Sequence, residues 1–127
     1  MATSFKELRV WQNGIELSMQ VFELSKRFPP EEKYSLTDQF RRATRSIPSN
    51  IAEAWRKRRY VASFVSKLSD SESEAAESQT LTEIASRCGY VTSDVAAELD
   101  RRCEEILGQL STMIRDADSW CLPAGTR

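Results

Sequence analysis

Apolar residues recur at helical spacing in four segments of this chain, and each segment has its own pattern. Placed at about 100° per residue, residues 5 to 27 carry two apolar stripes. Leu8, Trp11, Ile15, Met19 and Phe22 form one, and Val10, Leu17, Val21, Leu24 and Phe28 form another on nearly the opposite side. Gly14, Ser18 and Ser25 fill the arc between them, where small side chains let a second helix approach closely. Arg9, Gln12, Asn13, Glu16, Gln20, Glu23 and Arg27 take the remaining face. A helix in a lone bundle buries one face. Two stripes therefore mean either a helix embedded within one four-helix core or a helix with one face on the core and another on a second subunit; this pattern favours neither.

The paired prolines of FPPEEKY (28–34) predict a turn. Ser35, followed three residues on by Asp38, reads as a capping box that opens a second helix, running to about residue 57. Leu36, Phe40, Ala43, Ile47, Ile51 and Ala54 form its apolar stripe, with Arg41, Arg42, Arg45, Ser49, Ala52 and Arg56 opposite. Pro48 falls inside this helix, at a cost of about 3 kcal/mol in an ordinary helix interior. Two solutions are open: a kink at Ile47-Pro48, or a break in which Ser49 or Asn50 caps a new start with Glu53 completing a capping box.

The third segment, about 60–87, begins with Val61, Phe64, Val65, Leu68 and Ala75 on one stripe. Leu81, Ile84, Ala85 and Cys88 fall on another, which predicts a change of partner along the helix. Its acidic middle, SDSESEAAES, has neither Gly nor Pro and favours helix, and Gly89 is placed to end it in a left-handed conformation. A fourth helix opens at Thr92 or Ser93 with Val95, Leu99, Cys103, Ile106, Leu107, Leu110, Met113, Ile114 and Ala117 on one stripe. The pattern predicts an all-α chain of four helices over residues 1–120, with 121–127 a flexible C-terminal tail.

Length and composition agree. One core of ordinary size fits 127 residues, and four Gly with four Pro leave little for the turns of an all-β fold. No window approaches the roughly 20 apolar residues of a membrane span, and MATSFKELRVWQ lacks a signal-peptide core. The reading is a cytoplasmic chain without membrane contact. Cys88, Cys103 and Cys121 are odd in number and widely spaced, which fits reduced thiols better than disulfides or zinc.

Charge changes the picture. The net charge is −1, yet residues 35–60 carry seven Lys or Arg against Asp38 and Glu53, and residues 69–83 carry five acids and no base. Polyanion binding would have to rest on this segregation. Arg41, Arg45, Arg56 and Arg59 fall near one line of the wheel with Arg42 beside it, over roughly 27 Å of straight helix. Such a line can track phosphates by bidentate contacts; alternatively its cations pair with the acid-rich third helix. Trp55 and Tyr60 flank RKRR and are candidates to stack on an unpaired base, or to pack between helices. The chain has no histidine, which removes the Glu-x-x-His ligands of di-iron bundles, and Asp70, Glu72, Glu74 and Glu77 better serve charge complementarity than a metal. With no GxGxxG, P-loop or nucleophile–base pair, the chain reads as a non-enzyme without cofactor.

Certain residues carry a resemblance. Phe5, Leu8, Trp11-Gln12, Phe28-Pro29, Glu32-Lys33-Tyr34, Leu36, Gln39, Arg41-Arg42-Ala43, the octet Ser46-Ile47-Pro48-Ser49-Asn50-Ile51-Ala52-Glu53 and Gly89-Tyr90 together resemble the four-helix-bundle family of ribosomal RNA intervening-sequence proteins, which includes the accessory variability determinant of diversity-generating retroelements. The chain departs from that pattern in having Ala54-Trp55 where a glycine usually follows the octet, and Glu74-Ala75-Ala76-Glu77 in the third helix. The resemblance implies an antiparallel up-and-down four-helix bundle that assembles into a homo-oligomeric, pentameric ring and, for the retroelement branch, nucleic-acid binding through basic residues. The leading expectation is non-catalytic binding of RNA or DNA through Arg41, Arg42, Arg45, Arg56, Lys57, Arg58 and Arg59. The alternative is a scaffold that docks a protein partner such as a reverse transcriptase, with no nucleic-acid contact.

Overall fold

The computed structural model describes residues 2–126. Helices and turns make up this span, with no strand among the described residues. Four long helices, α1 (Arg9–Ser25), α2 (Leu36–Arg56), α3 (Val61–Arg87) and α4 (Ser93–Arg115), pack against one another and are followed by a short α5 (Ala117–Trp120).

Pairings across the helix seams fix the directions. Gly14 faces Ile47 and Pro48 while Ser25 meets Arg41, so α1 and α2 run antiparallel. Ser71 bonds Ile47 and Lys67 pairs with Glu53, which sets α3 antiparallel to α2. Asn13 reaches Gln109 and Glu16 reaches Arg102, so α4 returns antiparallel to α1.

The core follows the predicted stripes on α2 and α4. Leu36, Phe40, Ala43, Ile47, Ile51 and Ala54 are buried, as are Leu99, Cys103, Ile106, Leu110, Met113 and Ala117. On α1 the stripe containing Val10, Leu17 and Val21 is buried together with Gly14, Ser18 and Ser25, whereas Trp11, Ile15 and Phe22 are half-buried and Met19 is 53% exposed. Past Leu8, which is buried, and Trp11, which packs against the core, the other apolar stripe of α1 is left partly open in a single chain.

The second stripe expected on α3 is buried at Leu81 and Ala85 only, and small polar residues join it to the first. Phe64, Leu68, Ser71, Ala75, Ser78, Thr82 and Ala85 are all buried, alternating four and three residues apart in one coiled-coil-like seam, while Ile84 and Cys88 are exposed. The hydroxyls are internally satisfied: Ser71 Oγ donates to the Ile47 carbonyl at 2.9 Å, Ser78 Oγ to Glu74, and Thr82 Oγ1 to Ser78. Small satisfied side chains let α2 and α3 approach closely.

Helix ends are set by specific chemistry. Gly89 takes φ 78°, and the Tyr90 and Gly89 amides donate to Ala85 and Ser86, closing α3 in a Schellman motif. Thr92 caps α4 by accepting from the Val95 amide. Ser35 and Asp38 do not form the expected capping box. Glu32 does that work, accepting from Ser35 Oγ at 2.8 Å, the Leu36 amide at 3.3 Å and Tyr90 Oη at 2.9 Å. A carboxylate in the preceding turn thus accepts from the first amide of α2.

The chain past residue 120 is also tied down at its start, because Cys121 is buried and the Leu122 amide donates to the Arg58 carbonyl. Residues 1 and 127, the outer limits of the expected bundle and tail, lie outside the described residues.

Candidate nucleic-acid interface

The octet Ser46 to Glu53 organises the middle of α2, and the helix runs through Pro48 without a break. Asn50 caps no new start; its side-chain amide donates to the Ser46 carbonyl at 2.9 Å, while Ser71 supplies a donor to the next carbonyl, that of Ile47. These donors add a second bond to carbonyls just ahead of the proline, whereas the carbonyl that Pro48 leaves without its amide is that of Thr44, four residues back. The ring itself has a packing role. A Cβ at Gly14 would lie 3.2 Å from Pro48 Cδ and 3.3 Å from Ile47 Cγ2, so α1 and α2 touch through a glycine laid on a proline. Ile47 and Ile51 fill the core, and Glu53 pairs with Lys67 at 3.6 Å.

This packing turns the opposite face of α2 to solvent. Arg42, Arg45, Arg56, Lys57 and Arg59 are exposed. Among the described residues none of them forms an ion pair with a carboxylate. No ion pair joins these arginines to the acids of α3 among the described residues, although Arg42 lies close enough to Glu74 to act on it through space. The one α2–α3 ion pair among the described residues has the opposite sense, with α3 supplying the cation. Burial, and then the like charge of Glu77, raises the Glu74 carboxyl above its ordinary range, and Arg42 opposes that rise through space.

Two of the expected seven cations turn inward. Arg41 Nε donates to Ser25 Oγ at 2.7 Å and its Nη2 to the Phe22 carbonyl at 3.3 Å, with the guanidinium 4.7 Å from the Phe22 ring centre. Arg58 stacks on Trp55 at 3.6 Å and donates from Nε to the Trp55 carbonyl at 2.9 Å. Burial, more than the neighbouring Arg56, lowers the Arg58 pKa, while Cys121 opposes it. Arg59 leaves the wheel line, because α2 ends at Arg56 and the chain turns through 57–60.

The expected stacking groups separate as well. Trp55 is only 7% exposed and Arg58 covers its ring, so it is a packing group; Tyr60, at 62%, is open. The sequence reading missed two residues at the other end of the face. Lys33 and Tyr34, in the turn before α2, line an open groove of about 540 Å³ with Thr37, Asp38, Arg41, Arg42, Arg45, Ser46 and Ser49. Tyr34 is 85% exposed, with Lys33 Nζ 5.3 Å from its ring centre. The available signal was a cation and an aromatic placed directly ahead of the arginine run.

The outer stripe of α1 borders this face. Trp11, Ile15 and Ser18 form a shallow groove with Arg45, Pro48, Ser49 and Ala52, and Arg45 lies 5.9 Å from the Phe22 ring centre. Among the described residues no cluster of His, Cys, Asp or Glu could hold a metal, and no helix is long and apolar enough to cross a membrane.

Comparison with known proteins places this geometry in context. The family model described as 23S rRNA-intervening sequence protein matches residues 6–112. Among solved structures, the chain is similar to a protein of unknown function from the S23 ribosomal protein family of Bacteroides thetaiotaomicron. The two are 27% identical with a TM-score of 0.74, over 83% of this chain and 97% of that one. No curated protein matches the chain.

Proposed function

This chain belongs to the 23S rRNA-intervening sequence protein family, and we propose that it binds RNA or other nucleic acid, without catalysis, through the outer face of α2. The observation that carries this reading is the set of exposed cations, Arg42, Arg45, Arg56, Lys57 and Arg59, that form no ion pair with a described carboxylate. Guanidinium groups in such an array contact phosphates bidentately, and each phosphate neutralised releases counterions to the solvent. Arg41 supports this face from beneath by holding α2 to α1, and Tyr34 and Tyr60 offer rings near its two ends.

In this reading the active species is a homo-oligomer, in line with the pentameric ring that the family resemblance implies. The outer stripe of α1, with Met19 exposed beside Trp11, Ile15 and Phe22, is the surface proposed for the contact between copies. A ring would repeat one modest patch several times and so raise avidity without new contacts.

The test is binding of labelled single-stranded RNA, RNA duplex and DNA duplex across a salt series, with the mass measured by light scattering in the same buffers. Binding by an oligomer that weakens steeply with salt supports the reading, and absence of binding at low salt rejects it. The same α1 stripe favours a second reading, a scaffold that docks a protein such as a reverse transcriptase. In that case a generic polyanion fails to displace the partner.

A further inference from the structure

At one end of the bundle, Ala2, Trp55, Arg58, Asp116, Ser119 and Trp120 line a pocket of about 410 Å³. That volume lies within the range of roughly 300–1,000 Å³ usual for sites that enclose a small organic group. Its walls are aromatic and cationic. The inner face of the Arg58 guanidinium is laid on the Trp55 ring, and its Nε is committed to the Trp55 carbonyl. Its terminal nitrogens form no hydrogen bond or ion pair among the described residues, while Cys121 acts on its charge through space. Trp120, half-buried, forms another wall, and the two indoles do not pair with one another among the described rings.

The single carboxylate in the lining does not cancel this charge. Both Asp116 oxygens accept from Arg115, each at 3.2 Å. The pocket therefore presents one uncommitted guanidinium plane and one indole, joined to the exposed Arg56, Lys57 and Arg59 of the basic face.

We propose that this pocket receives one unpaired nucleobase, stacked between the Arg58 plane and Trp120, from the strand whose phosphates lie along α2. Unpaired bases stack on aromatic rings and on arginine planes, whereas a base within a duplex offers no free face. The proposal rests on the nucleic-acid reading above and adds to it a preference for single strands.

The experiment compares the full-length protein with Trp120→Leu and Trp120→Phe on an oligoadenylate and on an RNA duplex of equal length, with folding checked by circular dichroism. Wild type should prefer the single strand. Trp120→Leu should weaken that binding by roughly tenfold and leave duplex affinity unchanged, and Trp120→Phe should restore most of the loss. Equal effects of Trp120→Leu on both ligands, or no effect on either, overturn the pocket while the phosphate track stands. No binding of either ligand by wild type overturns both. Should Trp120→Leu fail to fold, Ser119→Trp, which crowds the pocket from an exposed position, takes its place with the same expected selectivity.

Discussion

Gly14→Ala tests the account of how α1 and α2 meet, because two known effects oppose each other there. Replacing a helical glycine by alanine gains about 0.8–1.0 kcal/mol in intrinsic preference. Here the added methyl would sit 3.2 Å from Pro48 Cδ, 3.3 Å from Ile47 Cγ2 and 3.4 Å from Pro48 Cβ. Neither neighbour yields easily, since the proline ring is closed onto its own backbone and Ile47 is fully buried. Overpacking of this kind costs about 1–3 kcal/mol, so the substitution should destabilise by about 1 kcal/mol net. Pro48→Ala removes the closest atom, and in that background Gly14→Ala should turn neutral or stabilising. The cycle cancels whatever Pro48→Ala does alone. Urea unfolding of the four proteins, followed by circular dichroism at one fixed protomer concentration, gives the coupling. Gly14→Ala stabilising the wild type by about 1 kcal/mol, or acting equally in both backgrounds, would refute the glycine-on-proline contact.

Three further outcomes follow from the same packing. Ser78→Leu, in the small-residue seam of α3, should overpack against the core and cost about 1–3 kcal/mol, read as a lower urea midpoint; tolerance would contradict the close approach of α3. Burial, and then Asp100 and Glu104, pushes the Cys103 thiol up to about 12, so in the folded protein at pH 8 iodoacetamide should alkylate the exposed Cys88 and spare Cys103, as peptide mass mapping would show. Ser35 first, then Tyr90 and the Leu36 amide, hold the Glu32 carboxyl below its ordinary 4.5 against a smaller opposing effect of burial. The stability it contributes is present above that value and is lost as the pH falls through the lowered one. Glu32→Gln should flatten the acid side of the stability curve, and an unchanged fall below pH 4.5 would remove Glu32 from the account.

The elements differ in how far the sequence disclosed them. The stripes of α2 and α4 are apolar throughout and could be read directly. The seam of α3 could not, because Ser71, Ser78 and Thr82 count as polar in a pattern yet bury hydroxyls that bond carbonyls of a neighbouring helix or their own. A helical wheel showed that the arginines of α2 share a face but not which neighbours stand beside them. Ser25 and Phe22 draw Arg41 inward through contacts that exist only once α1 and α2 have packed, while Trp55 draws Arg58 locally, where the chain turns out of α2 three residues on. Lys33 and Tyr34 were hidden for the opposite reason, since a turn residue has no wheel position and its place beside the groove depends on how the chain enters α2.

The claim that the outer face of α2 tracks phosphates is tested most directly by the salt dependence of a triple variant, Arg42→Gln, Arg45→Gln and Arg59→Gln, whose three side chains are exposed and form no ion pair among the described residues. On a single strand each lost phosphate contact lowers the slope of log K against log salt by about 0.7. The account predicts a slope shallower by about 2, weaker binding at low salt and an unchanged melting temperature. A slope and affinity equal to the wild type's, in a variant that folds normally, would contradict it.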